Sequence, residues 1–139
     1  MANAIYPVGR QAFLEGAIAF LTDTISVVLV DSNYTFNLAD TVYANVSANV
    51  VSANVNLASK SSTNGNASSA NLTFSAVAAP SGGRSAKFAV FFKNTGSSTT
   101  ANLIACFDTA TGSPGLPVTP NGGDINLQFS TGPGQIFQL

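Results

Sequence analysis

Apolar and polar positions along this chain follow two periods, one after the other. Through residue 21 the pattern is helical: Arg10, Gln11, Ala12, Phe13, Leu14, Glu15 and Gly16 form the only stretch of helix formers in sequence. Pro7 suits a first helical turn, where its missing N–H is needed least, and Gly16 suits the cap at the other end. One short helix of two or three turns is predicted, with Phe13 and Ala17 facing a core.

From Thr24 onward the period becomes two. Thr24 to Val30 alternates and then turns continuously apolar, the signature of a strand buried on both faces. Asp31-Ser32-Asn33 is turn chemistry, and Tyr34-Thr35-Phe36-Asn37-Leu38 alternates as a strand or extended arm. Residues 43–58 nearly repeat an Ala-Asn-Val unit, too short for a solenoid module, and read as low-complexity strand and loop. Asn64-Gly65, inside the small and polar stretch from Ser59 to Ala70, is the strongest two-residue hairpin signal.

Leu72 to Val77 alternates as a strand, and Ala79-Pro80-Ser81-Gly82-Gly83 turns it. Ala86 to Lys93, the turn Asn94 to Ser98, and Asn102 to Phe107 predict a β-hairpin. Pro117 and Pro120 forbid a central strand between Pro117 and Asp124, and Ile125 to Phe129 alternates as a last one. The whole predicts one domain over residues 1–139. Its fold class is all-β, a compact β-sandwich or small jelly-roll-like domain of six or seven short strands with one short N-terminal helix.

Composition narrows the chemistry. The chain has no histidine and no tryptophan, one cysteine, five basic and six acidic residues, and a net charge of −1. Without histidine it lacks the commonest general base and metal ligand. Five cations are few for phosphate recognition, so no nucleic-acid partner is expected; Arg84, Lys87 and Lys93 read as solvated strand ends. The longest apolar run, Ala17 to Leu21, falls far short of the ~20 residues of a membrane span. No basic segment precedes an apolar stretch, so synthesis and retention in a cytoplasm, or in something assembled there, is expected. A mean hydropathy of +0.28 with so little charge suits a chain that works in contact with other proteins.

The remaining motifs favour structure over catalysis. Cys106 lies in the apolar run Leu103-Ile104-Ala105-Cys106-Phe107 and reads as a buried filler. Asp23, Asp31, Asp108 and Asp124 stand beside turns, where a carboxylate caps backbone N–H groups; Asp31 with Asp108 is the one pair considered for glycoside hydrolysis. The loops Gly82-Gly83-Arg84 and Gly112-Ser113-Pro114-Gly115 lack the Lys-Ser/Thr of a phosphate loop. No enzyme activity, metal or cofactor is expected.

Gly9-Arg10-Gln11-Ala12-Phe13-Leu14-Glu15-Gly16, then Thr22 to Asp31, resemble the small virion structural proteins of tailed bacteriophages. The likeness continues through Leu72 to Val77, Leu103 to Gly112 and Leu116 to Ile125, so it covers most of the chain outside 43–70 and the tail after Phe129. The resemblance is strongest to capsid decoration, or cement, proteins, and implies binding outside the major capsid protein shell, commonly as a homotrimer. The Asn/Ser/Ala-rich segment 43–70 departs from that pattern. Candidate interface residues are Ile5, Tyr6, Pro7 and Val8 in the N-terminal segment 1–8, and Ile136, Phe137 and Leu139 in the tail 130–139. The alternative reading is a tail or head-fibre module that binds host-surface glycans through loops such as Ser61 to Ser69.

Overall fold

The computed structural model describes residues 4–109, 111–113, 116–128 and 136–138. The fold is mostly β, with one helix of more than seven residues, arranged as a small β-sandwich. Its centre is a five-stranded antiparallel sheet made from β1 (Ala4–Ile5), β8 (Leu103–Phe107), β7 (Ala86–Lys93), β2 (Ile25–Asp31) and β3 (Val55–Asn56), in that spatial order. Every residue of β2 and β8 is buried, as their unbroken apolar runs require when both faces of a sheet are covered.

One face is covered by regular structure. A sheet of β6 (Leu72–Phe74), β10 (Ile125–Gln128) and β9 (Thr111–Ser113) lies over it, beside a second sheet of β11 (Phe137–Gln138), β5 (Asn66–Ser68) and β4 (Ser61–Thr63). Val27, Leu29 and Phe91 of the central sheet share a core there with Leu72, Phe74, Ile125, Leu127, Ala67 and Phe137. The other face is covered by the irregular segment 34–50, which contains two single-turn 3-10 helices, Tyr43–Asn45 and Ser47–Asn49. Tyr34 and Val46 join Val28, Val30, Phe88, Val90, Leu103 and Cys106 in this second core.

The helix α1 spans Pro7–Leu14, with Pro7 in its first turn. It closes through Gly16 N–H to the Phe13 carbonyl (3.2 Å) and Ala17 N–H to the Ala12 carbonyl (2.8 Å), with Gly16 at φ 74. That bond pair is a Schellman cap, which favours glycine at the left-handed position. The register of β7 on β8 shifts between Phe91 and Phe92, leaving Ile104 as an extra residue. The Ile104 carbonyl accepts Tyr6 N–H at 2.9 Å, so this bulge receives the chain as it enters the helix.

The tertiary structure decides one open reading and changes two others. Tyr34 to Leu38 forms no ladder and is an extended arm held by its side chains. The strand expected from Leu72 to Val77 ends at Phe74, because Ala76 adopts φ 48 and donates its N–H to Asp124 Oδ1 at 2.9 Å. Beyond the six or seven strands expected, two-residue ladders at β1, β3 and β11 knit the edges. The Asn64-Gly65 hairpin forms as predicted: Thr63 pairs with Asn66, and both turn residues have positive φ, 52 and 80.

Candidate functional site

The N-terminal candidates come first in sequence, and their placement follows from β1. Ile5 pairs with Ala105 at the sheet edge and is 9% exposed, within the first core. Tyr6 is fully buried in the second core, Val8 is half-buried beside it, and Pro7 is exposed at the helix start. At the other terminus Ile136 and Phe137 are buried, the latter between Phe13 and Phe20 with ring centroids 5.8 Å away on each side. Leu139 lies outside the described residues. Ile5, Tyr6, Ile136 and Phe137 are thus taken up by the chain's own cores.

Tyr6 leads into a polar chain that spacing alone does not reveal. Its hydroxyl meets that of Tyr34 at 3.0 Å, and Tyr34 donates to Asp40 Oδ2 at 2.6 Å. Burial drives the Tyr6 and Tyr34 phenols up, with the neighbouring Asp40 adding to the effect at Tyr34. Cys106 shares this pocket of the core, and burial pushes its thiol up to about 12, the Tyr6 hydroxyl partly offsetting the rise. A thiol so held is neutral at physiological pH and a poor nucleophile. The alternation Tyr34-Thr35-Phe36 is the one local signal here: both rings turn inward, Tyr34 onto Phe88 (5.5 Å) and Phe36 onto Tyr6 (5.3 Å).

The carboxylates hold backbone. Asp31, 1% exposed, accepts from Arg84 Nε at 2.8 Å, from Asn33 N–H at 2.8 Å and from the Asn49 amide at 3.4 Å. Asp23 accepts from Ala19 N–H at 2.8 Å and faces Lys93 Nζ at 3.2 Å; the backbone bond, then Lys93, lowers its pKa. Asp31 and Asp108 stand at the ends of strands separated by β7, and Arg84, the Asn33 N–H and the Asn49 amide occupy the Asp31 carboxylate. The three basic residues near the Gly82-Gly83 turn are dispersed. Arg84 goes to Asp31, Lys93 to Asp23 and the Ala17 carbonyl, and Lys87 lies 5.2 Å from the Phe88 ring centre. Among the described residues no three His, Cys, Asp or Glu side chains gather as metal ligands, and no helix is long and apolar enough to cross a membrane.

Among the described residues three large apolar side chains are exposed: Leu14, Leu21 and, on the 34–50 segment, Leu38 at 54%. Leu14 is 89% exposed and Leu21 53% exposed, on the segment that turns back after α1, while their neighbours Phe13 and Phe20 are anchored on Phe137. From Phe13 to Leu21 the only charged side chain is Glu15. The hydrophobic pattern showed this run but did not separate its buried residues from its exposed ones. No family model matches the chain, and no curated protein or solved structure matches it.

Proposed function

We propose that this chain is a virion structural protein, a capsid decoration or cement protein that binds the outside of the major capsid protein shell as a homotrimer and stabilises it. The observation that carries the reading is the exposure of Leu14 and Leu21, the first of which lies in the segment Gly9 to Gly16, one of those that carry the resemblance. Large apolar side chains left exposed by the chain's own fold are the groups a partner surface would cover. A modest contact repeated over a shell gains through multivalency what each copy lacks in area.

Two further features support a binding role over a chemical one. Asp23, Asp31 and Asp124 each accept a backbone N–H of a turn, which rigidifies the loops of a presenting scaffold. The weak net charge removes long-range repulsion between neighbouring copies. Burial of Ile5, Tyr6, Ile136 and Phe137 moves the proposed interface from the termini to the end of α1 and the turn after it, while Pro7 stays exposed at the start of the helix.

The test is quantitative mass spectrometry of purified particles, read as copies of this chain per copy of the major capsid protein. A ratio near unity, lost when Leu14→Asp/Leu21→Asp protein is supplied in its place, supports the reading. A few copies per particle, or none, overturns it.

A further inference from the structure

A second surface feature, which includes neither Leu14 nor Leu21, lies on the face of the sheet covered by segment 34–50. A cleft of about 150 Å³ opens where the first 3-10 turn, the residues before β3 and the β7–β8 loop meet. Its aromatic wall is Tyr43, whose ring lies 4.6 Å from that of the buried Phe92. The backbone fixes it in place: Tyr43 N–H donates to the Ala101 carbonyl at 2.9 Å, and Ala44 N–H to the Ser98 carbonyl at 3.0 Å. Asn94 shapes the loop, accepting Gly96 N–H at 3.0 Å and donating to Ser26 Oγ at 3.1 Å.

Three polar groups on this cleft are uncommitted. The Asn54 amide, the Ser98 hydroxyl and the Tyr43 hydroxyl make no hydrogen bond to any described residue. Together they offer donors and acceptors in both directions. No residue lining the cleft is charged, and Lys93, next to Phe92, turns its ammonium to Asp23 and the Ala17 carbonyl. Binding clefts combine an apolar wall with a few convergent polar groups, and drug-sized ligands fill roughly 300–1,000 Å³. The volume here suits a single small ring.

We propose that this cleft binds one neutral sugar ring, its C–H face against Tyr43 and its hydroxyls on Asn54 and Ser98. An amide and hydroxyls without a charge favour a ligand that is itself polar and uncharged, because an ion would lose its hydration without gaining a partner. The cleft is open and its polar groups are hydrated when empty, so the affinity is weak, with a Kd on the order of 1 mM. This inference is independent of the capsid reading, and it concerns a surface distinct from the Ser61 to Ser69 hairpin.

Titration of the ¹⁵N-labelled protein with the methyl glycosides of galactose, N-acetylglucosamine and rhamnose tests it, with galacturonic acid as the charged control. Saturable shifts of the Asn54, Gly96 and Ser98 amides by at least one neutral glycoside are expected. Asn54→Ala and Ser98→Ala should each weaken that binding about tenfold, the effect of losing one hydrogen bond, at an unchanged melting temperature. Immobilised oligosaccharides ending in the same sugar then distinguish a cell-surface source from a free one. No shift from any neutral glycoside, shifts elsewhere on the protein, equal binding by both variants, or equal binding of the charged control overturns the proposal.

Discussion

The two faces of the central sheet are covered by different means. On one, Phe91 and Leu29 meet strands from two small sheets, and the contact is made of ladders and apolar side chains. On the other, the 34–50 segment forms no ladder, only isolated bridges and backbone bonds such as Tyr43 N–H to the Ala101 carbonyl, and side chains add to them: the Tyr6–Tyr34–Asp40 chain, the Asp31–Arg84 pair with Asn49, and Tyr43 on Phe92. A regular cover places its backbone hydrogen bonds in strands, whereas an irregular one must find each partner separately. The second face is therefore the one whose stability depends on individual hydroxyls and carboxylates, and the one that carries the proposed cleft.

The largest effect should come from the regular face. Phe91→Ala removes a fully buried ring at its centre, stacked 4.9 Å from Phe107, and should cost about 4 kcal/mol in denaturant unfolding. A loss well under half of that would mean the small sheets can collapse onto the sheet below them. Next comes the place where helix and sheet touch. A Cβ on Gly9 would sit 2.9 Å from the Cα and carbonyl oxygen of Ile104 and 3.0 Å from the Leu103 carbonyl oxygen, all backbone atoms that cannot rotate away. Gly9→Ala should destabilise by about 2 kcal/mol, with the largest amide shifts in α1 and β8.

Smaller effects sharpen the difference between the faces. Tyr34→Phe removes the hydroxyl that bridges the buried Tyr6 hydroxyl to Asp40 and should cost about 1 kcal/mol. Hydrogen exchange should speed up at Val46, Asn49 and Val51 while the β6–β10 ladder stays protected; equal acceleration on both faces would refute the side-chain clamp. Alkaline pH acts on the same groups. The ordinary values are 9.0 for the thiol and 10.0 for the phenols, and all three are raised on folding. A raised folded value gives stability that is complete below the unfolded value and lost as pH rises toward the folded one. Stability should therefore begin to fall near pH 9 and be lower by about 2 kcal/mol at pH 10, and Cys106→Ala should delay the onset toward the phenol range. A flat profile between those values would show that the second core does not hold these groups neutral.

The legible parts of this fold are those whose cause is local. β2, β7 and β8 stand out because a strand buried on two faces needs apolar residues at consecutive positions, and all three have them. Gly16 and Asn64-Gly65 announce their turns because left-handed backbone favours these residues. Segment 34–50 was harder to read. Its alternation is real, but it points Tyr34 and Phe36 into a core without placing the backbone in a ladder. The short strands β1, β3 and β11 carry two residues each, too few to show a period.

The candidate surface divides in the same way. The apolar character of Ile5 to Val8 and of the tail is plain in sequence, and so is that of Phe13 to Leu21. Which of them the chain buries for itself depends on the sheet order β1-β8-β7-β2-β3 and on β11 pairing with β5. By itself the sequence determined the all-β class, the N-terminal helix and its cap, and the central hairpin. Only the tertiary structure decided that Arg84 would meet Asp31 across 53 residues, that Tyr6 would meet Tyr34 across 28, and that Tyr43 would line a cleft over Phe92. Period and turn preference act between neighbours along the chain, whereas these contacts exist only after distant strands have chosen their order and register.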